Sequence, residues 1–297
     1  YRGHDDGTDA RIAALNHELA DSTVFQSRYS FEKHVELGIQ LRDPVVIPNA
    51  VDPAIFHPPE EREPLDGRPV RLIASSWSDN LRKGAETLAW LDARLAGTRY
   101  EMTFVGRAPI GLDRIGVVGP VGSEGVAELL RHHDVYIAAS RDDPCSNALL
   151  EALACGLPAA FLASGGHAEL VGGAGLPFHE DDELLDVLDR LVEDLDGYRA
   201  KIAVPTIADW LFIDVALNGG SVLTATGTAS TVTLEVSGGS VAELEALTAA
   251  TITVDISGGS RAEVRATDLV NGSAMGGSRV SVAGGANTTV DTTDGSQ

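Results

Sequence analysis

Apolar and polar positions follow two different rhythms along this chain. Through residue 208, short apolar runs alternate with stretches in which apolar residues recur every three or four positions. The run at 70–76 (VRLIASS) predicts a buried strand. Residues 83–96, with apolar Ala85, Leu88, Ala89, Leu91 and Leu95, predict a helix. Further strands are expected at 100–105, 115–118, 135–139 and 158–163. Further helices are expected at 123–133 with Ser123 as N-cap, at 145–155 stopped by Gly156 and Pro158, and at 183–195. Strands this apolar, separated by helices, imply a parallel sheet covered on both faces, and so a Rossmann-like doubly wound α/β domain over 70–208. Ligands of such sheets sit beyond the carboxyl ends of the strands. That directs attention to the loops after Ser76, Val105, Ala139 and Ala163. Residues 1–45 read as helix, strand, helix (10–19, 22–26 and 31–38) and form the remnant of another α/β domain. Residues 46–69 connect the two, and within them 57–69 (HPPEEREPLDGRP) is rich in proline and charge.

From residue 212 the period drops to two. Asn218-Gly-Gly-Ser221, Ser237-Gly-Gly-Ser240, Ser257-Gly-Gly-Ser260 and Met275-Gly-Gly-Ser278 recur at intervals of 19, 20 and 18 residues. Alternating segments such as 232–236 and 252–256 lie between them. A fixed period of this size with glycine corners predicts a right-handed β-solenoid repeat domain over 212–297, each coil burying Val, Ile and Leu against the next. The open ends of such a solenoid are candidate surfaces for self-association.

Composition reinforces the break: all 13 prolines, both cysteines, every histidine and every lysine precede Trp210. The formal net charge is −22, which argues against nucleic-acid binding and against docking on anionic membranes. Cys145 and Cys155 are too few for a disulfide scaffold or a four-cysteine zinc site. No apolar run approaches the roughly 20 residues of a transmembrane helix, and no basic-then-apolar leader pattern is read at the start. The chain opens on Tyr1, so a fragment or processed product is expected.

Candidate chemistry concentrates in 141–158 (RDDPCSNALLEALACGLP). Pro144 suits a first helical position and Asp143 the N-cap before it. The N–H groups of Ser146, Asn147 and Ala148 would then point out of the sheet's carboxyl edge, where a helix N-terminus can hold phosphate. Glu151 lies two turns further on, among Ala148, Leu149, Leu150, Ala152, Leu153 and Ala154. A carboxylate there needs a partner: a ligand hydroxyl, a backbone amide or an arginine. Asp143 and Glu151 are eight residues apart, near one face of a helix.

This stretch resembles the Glu-x7-Glu signature of family 4 retaining glycosyltransferases, with Asp143 in place of the first Glu. Residues 46–58 (VIPNAVDPAIFHP) resemble that family's interdomain crossover, and 76–84 (SWSDNLRKG) its diphosphate-binding loop. Phe104-Val-Gly-Arg107 and Gly119-Pro-Val121 resemble the strand end and the base-contacting loop. The resemblance covers about residues 1–208 and implies half of a two-domain GT-B fold, moving a sugar from a nucleotide-sugar donor to an acceptor it does not identify. It implies that Glu151 bonds the ribose hydroxyls, that Asp143 faces the donor sugar, and that Lys83 neutralises the diphosphate together with the helix N-terminus at Ser146, Asn147, Ala148 and Leu149. Ser78, Arg82, Arg107, Gly119 and Val121 complete the implied donor contacts. Ser78 stands where the family often has Arg, and Arg82 is the substitute cation. No cofactor and no divalent metal are implied, the nucleotide sugar being substrate. Only residues 1–45 of the acceptor-binding domain would be present, which implies a donor subsite without an acceptor subsite and little turnover. A cytoplasmic location is implied.

Residues 212–297 resemble the head domain of autotransporter-type adhesins, a GIN-type β-solenoid with Ser-Gly-Gly/Ala-Ser corners. That resemblance implies the cell envelope and a non-catalytic adhesion module. A third reading is a GT-B-like enzyme of another kind, such as a nucleotide-sugar epimerase. Each candidate also has a plainer reading. Asp143 can be an N-cap alone, Glu151 can be tied to a backbone amide, Lys83 and Arg82 can be solvated cations, and Arg107 a loop surface residue. Cys145 and Cys155 read as structural thiols, and His132 and His133 as helix-end imidazoles favoured by the dipole. Residues 180–183 read as a solvated acidic helix start. Gly165-Gly166 is either a turn or a close backbone approach to a ligand.

Overall fold

The computed structural model describes residues 7–207 and 212–297 of the chain. The chain divides into two compact units, Tyr1–Pro205 and Thr206–Gln297, each described by itself below. The composition break at Trp210 lies outside the described residues.

The first unit opens with helix α1 (Thr8–Leu19), strand β1 (Thr23–Phe25), helix α2 (Arg28–Glu36) and strand β2 (Pro44–Val46). β1 and β2 form a parallel pair of their own, with Val24 beside Val45. On one face Phe25 packs edge-on against Phe31, with ring centroids 5.6 Å apart. Alternation turns Val24 to the other face, where it and Val45 stay exposed, as do Ile12, Leu15 and Leu19 of α1.

The main sheet follows: β3 (Val70–Ser76), α3 (Ala85–Arg94), β4 (Tyr100–Gly106), β5 (Gly116–Val118), α4 (Ser123–Arg131), β6 (Val135–Ala138), α5 (Asn147–Ala154), β7 (Ala159–Leu162), α6 (His167–Val171), β8 (Gly175–Phe178), α7 (Leu184–Glu193) and α8 (Leu195–Arg199). All six strands run parallel in the order β5-β4-β3-β6-β7-β8. This is the doubly wound order, and it reverses between β3 and β6. Successive residues of β3 feed opposite cores. Leu72 and Ala74 meet Leu88 and Leu91 of α3 and Leu188 of α7. Ile73 meets Val126 and Leu130 of α4 and Leu149 and Leu153 of α5. The continuous apolar run at 70–76 is thus a strand with helices on both sides.

Several helix starts or caps differ from expectation. Helix α5 begins at Asn147, not 145, and its N-cap is Ser146, whose hydroxyl accepts from Leu149 N at 3.4 Å. Asp143 is therefore not the cap. The segment before α5 is held outside the helix because the Asp143 carbonyl accepts from Gly166 N at 2.9 Å, so Pro144 serves a loop and not a first turn. The N-cap of α4 is Gly122, not Ser123. The helix expected from 83 starts at Ala85, because Leu81–Lys83 forms a separate 3-10 turn ended by Gly84 in a left-handed conformation.

The connector at 57–69 is pinned. Arg68 grips Asp134 with both terminal nitrogens, at 2.7 and 2.8 Å, and Asp134 also accepts from Arg71 N at 2.9 Å. Burial alone would raise the Asp134 pKa, but the Arg68 guanidinium and the Arg71 amide hold it below the ordinary range. Arg62 reaches the carbonyl of Cys155 at 2.6 Å, a cation at the C-terminus of α5. Removing one partner of a buried ion pair leaves the other charge uncompensated. Asp134→Ala is therefore expected to cost about 3 kcal/mol of stability, read as a lower urea midpoint at unchanged slope. The contribution is present above the unfolded aspartate pKa and is lost as pH falls through the depressed one.

The second unit contains β9 (Phe212–Leu217), β10 (Val222–Thr224), β11 (Gly227–Val236), β12 (Val241–Ile256), β13 (Arg261–Ala274), β14 (Arg279–Ala283) and β15 (Asn287–Thr292). All belong to one parallel sheet. Ile213 pairs with Val232, Val232 with Ile252, and Ile252 with Val270. The pairing offsets thus reproduce the 19, 20 and 18 spacing of the glycine motifs. Val232, Leu234, Ile252, Val254, Val264 and Val270 form its buried core. Both glycines of each corner, such as Gly238 and Gly239, have positive φ, which side chains resist. Ser240, Ser260 and Ser278 are buried at their corners, and Ser260 shows how they are satisfied: its Oγ accepts from Gly239 N at 3.2 Å and donates to the Ser257 carbonyl at 2.7 Å.

Candidate functional site

Where the strand order reverses, the chain leaves β3 and β6 in opposite directions and a hollow of about 340 Å³ opens at their carboxyl ends. Ser76, Trp77 and Ser78 line it from the β3 side, Ala139 and Ser140 from the β6 side, and Lys83, Asp143, Ser146, Asn147 and Ala148 close it. Lys83 ends the 3-10 turn that Asn80 caps, its side chain accepting from Arg82 N at 3.0 Å. The Arg82 carbonyl accepts from Arg141 N at 2.9 Å, which fixes that turn beside the β6 exit. Lys83 Nζ then donates to Asp143 Oδ2 at 2.7 Å.

Asp143 is aimed by its backbone. Asp142 adopts a left-handed conformation (φ 52°), tolerated by aspartate, and donates its N–H to Ser164 Oγ at 2.9 Å. A Cβ on Gly165 would collide with the Asp143 backbone, so Gly165-Gly166 is a close backbone approach, though to this loop. The Asp143 side chain is only 9% exposed. Ser140 Oγ stands 3.3 Å from its Oδ2 and 3.0 Å from His167 Nε2. His167 is fully buried, and burial lowers its pKa from the ordinary histidine value. Tyr136, also buried at the floor, is pushed up to about 12 by desolvation.

Glu151 lines a second hollow of about 360 Å³, together with Asn49, Val51, Asp52, Phe56 and Asn147. Desolvation raises its pKa to about 7, and no hydrogen bond among the described residues reaches its carboxylate. The resemblance implies that Lys83 and Glu151 contact one donor, through its diphosphate and its ribose. The structure places them in two neighbouring hollows with Asn147 as the common wall, its Oδ1 accepting from Asn49 Nδ2 at 2.6 Å.

The other expected contacts are scattered. Ser78 lines the first hollow and bonds Ser76 through its backbone. Arg82 is paired with Asp142 at the surface and lines neither hollow. Arg107, Gly119 and Val121 line neither hollow, and Arg107 donates its N–H to the Ser76 carbonyl at 2.8 Å. Leu149 is buried in the core, so only its N–H could face a ligand, and Ser146 Oγ takes that. Cys145 and Cys155 are free and buried, and burial raises both thiol pKa values. Sequence reasoning missed Trp77, Ser140, His167 and Asn49. Asn147 was read only for its amide, although its four-residue spacing from Glu151 places the two side chains on one helix face.

Residues 28–29 touch the same edge. Glu169 accepts from Arg28 N and Tyr29 N at 2.9 and 3.1 Å, an anion at the N-terminus of α2. A third hollow of about 450 Å³ lies between α2 and Asp142 and Pro144. Among the described residues no group of three or more His, Cys, Asp or Glu could hold a metal ion, and no helix is long and apolar enough to cross a membrane.

Comparison with known proteins adds two family matches. Residues 71–194 match the family described as "Glycosyl transferases group 1", and residues 206–286 match "Putative auto-transporter adhesin, head GIN domain". No curated protein matches by sequence. Among solved structures, sucrose-phosphate synthase of Thermosynechococcus elongatus aligns at 21% identity and TM-score 0.54, over 66% of this chain and 56% of that one. Anabaena HepE in complex with UDP-glucose aligns at 20% identity and TM-score 0.54, over 66% and 61%. A glycosyltransferase from Rickettsia africae aligns at 15% identity and TM-score 0.51, over 65% and 62%. At these identities the likeness is one of fold. The chain spans 56–62% of the length of these structures.

Proposed function

We propose that the first unit is the donor-binding half of a retaining glycosyltransferase and holds a nucleoside diphosphate sugar at the switch point between β3 and β6. The observation that carries this reading is the juxtaposition at Asn147. On one side stand Lys83 and the N-terminus of α5, suited to a diphosphate. On the other stands Glu151, a half-buried carboxylate without a hydrogen-bond partner among the described residues, suited to a pair of ribose hydroxyls. Asp143 faces the sugar from the diphosphate side. Charge building on the departing diphosphate would be met by Lys83 and the helix amides, so the reading needs no resident metal or other cofactor. The Anabaena neighbour's UDP-glucose complex is in keeping with this ligand class. The acceptor half would complete the β1–β2 pair, whose apolar face stays uncovered among the described residues. Transfer to an acceptor therefore belongs to the whole assembly, acting in the cytoplasm.

The test is calorimetric titration of the full chain with UDP, GDP and their sugars. Saturable binding of at least one nucleotide sugar at micromolar to submillimolar Kd is expected. Absence of binding by all of them would overturn the reading.

A pH dependence follows. Glu151 accepts from both ribose hydroxyls through both its oxygens, with charge-assisted bonds, only when ionised, and both phosphates of UDP-glucose are esterified, so neither titrates near neutrality. With Glu151 at about 7, affinity is expected to rise roughly tenfold from pH 6 to pH 8. Glu151→Gln should flatten that rise, and a slope that persists in this variant would assign it to another group.

For the second unit we propose a right-handed β-solenoid, supported by the offset pairing and the corner-serine ladder, which associates with other copies through its open ends; the alternative to the cytoplasmic transferase is a non-catalytic adhesion module that presents this unit at the cell envelope. A pull-down with the full chain should recover a surface glycan or protein, and removal of residues 212–297 should abolish it.

A further inference from the structure

Counting protons around Asp143 exposes a competition. His167 Nδ1 lies 3.0 Å from the carbonyl oxygen of Leu162, which can only accept, so Nδ1 carries a proton. Burial disfavours the charged imidazolium, which favours the neutral ring with a bare Nε2. Ser140 has one hydroxyl proton and two acceptors within reach: His167 Nε2 at 3.0 Å and Asp143 Oδ2 at 3.3 Å. It cannot donate to both. Lys83 faces a matching choice. It holds Asp143 Oδ2 at 2.7 Å and also lines the hollow in which a diphosphate would sit. Turning to the diphosphate would leave a carboxylate that is 9% exposed without its donor, an arrangement that is costly unless another donor steps in.

We propose that Ser140 is a switchable positioning residue for Asp143: its hydroxyl rests on His167 Nε2 while Lys83 holds the carboxylate, and turns to Asp143 Oδ2 when a diphosphate draws Lys83 away. The inference rests on the donor-site reading above. The switch is a hydroxyl rotation with no proton transferred. At rest Lys83 already satisfies Asp143 Oδ2 and the imidazole nitrogen is the nearer acceptor; once Lys83 leaves, the bare carboxylate becomes the stronger acceptor, since a hydrogen bond to a charged group is about twice as strong as one to a neutral nitrogen. His167 acts through Ser140 and touches no ligand.

The test is a double-mutant cycle on the full chain, with UDP titrated by calorimetry. Ser140→Ala is expected to weaken UDP binding roughly five- to tenfold in the parent chain, the difference between a hydrogen bond to a charged group and one to a neutral group. In the Asp143→Ala background the same change should matter by less than about twofold, because no carboxylate is left to satisfy. An equal loss in both backgrounds would assign Ser140 a general structural role and overturn the inference. A parent chain that binds no UDP overturns the donor-site reading and this inference with it, which separates the two failures. Should Ser140→Ala not fold, the parent chain labelled with 15N-histidine decides. Saturating UDP must move the His167 Nε2 resonance toward that of an acceptor without a donor, and an unmoved resonance overturns the proposal.

Discussion

Lys83→Ala is expected to weaken nucleotide-sugar binding more than any other single change in the first unit. Two effects add. The ammonium that would meet the diphosphate is gone, and Asp143, nearly buried, loses its 2.7 Å partner. The remaining carboxylate then repels the phosphates from the wall of the same hollow. Truncating one member of such a charge pair costs about 2–5 kcal/mol, or roughly 30- to several-thousand-fold in Kd. The repulsive share can be isolated. Lys83→Ala combined with Asp143→Ala should recover part of the loss, since the second change removes the unpaired anion. Calorimetry on the parent, both single variants and the double variant checks this. A double variant as weak as Lys83→Ala would mean that Asp143 does not face the phosphates.

Glu151→Ala, measured at pH 8, is expected to lower affinity for UDP-glucose by roughly 10- to 100-fold, the range for hydrogen bonds to a charged group. Its effect on stability should have the opposite sign. A carboxylic acid whose pKa is about 7 when folded and near 4.5 when unfolded makes the folded state bind the extra proton between those values. Its contribution to stability is present below the unfolded pKa and lost as pH rises toward 7. At pH 8 the parent chain carries a desolvated anion with no hydrogen-bond partner among the described residues, so the alanine variant should unfold at a higher urea concentration than the parent. Weaker binding together with greater stability is the mark of a group kept for a ligand. Equal binding by parent and variant would remove Glu151 from the site.

Much of this was readable before any coordinates. The apolar run at 70–76 needed cover on both faces, and the alternation of Leu72, Ile73 and Ala74 between two cores supplies it. The 19, 20 and 18 spacing of the glycine corners reappears as the offset between Ile213, Val232, Ile252 and Val270. What could not be read were the places where distant segments set local geometry. Asp143 looked like an N-cap because Asp-Pro often starts a helix. The contact of its carbonyl with Gly166 keeps that segment in a loop and passes the cap to Ser146. Ser140 and His167 lie 27 residues apart and carry no motif, so only the folded chain brings their polar atoms to 3.0 Å. The resemblance implied Arg82 and Arg107 as donor contacts, yet Arg82 is paired with Asp142 and the Arg107 N–H bonds the Ser76 carbonyl at the β3 exit.

A crystal structure of the full chain grown with UDP-glucose tests the central claim most directly. The account predicts the diphosphate against Lys83 Nζ and the N-terminus of α5, the ribose across Asn147 on Glu151, and the hexose beside Asp143. Density for the nucleotide anywhere else on the molecule, or a ribose that leaves Glu151 without a hydrogen bond, would contradict it.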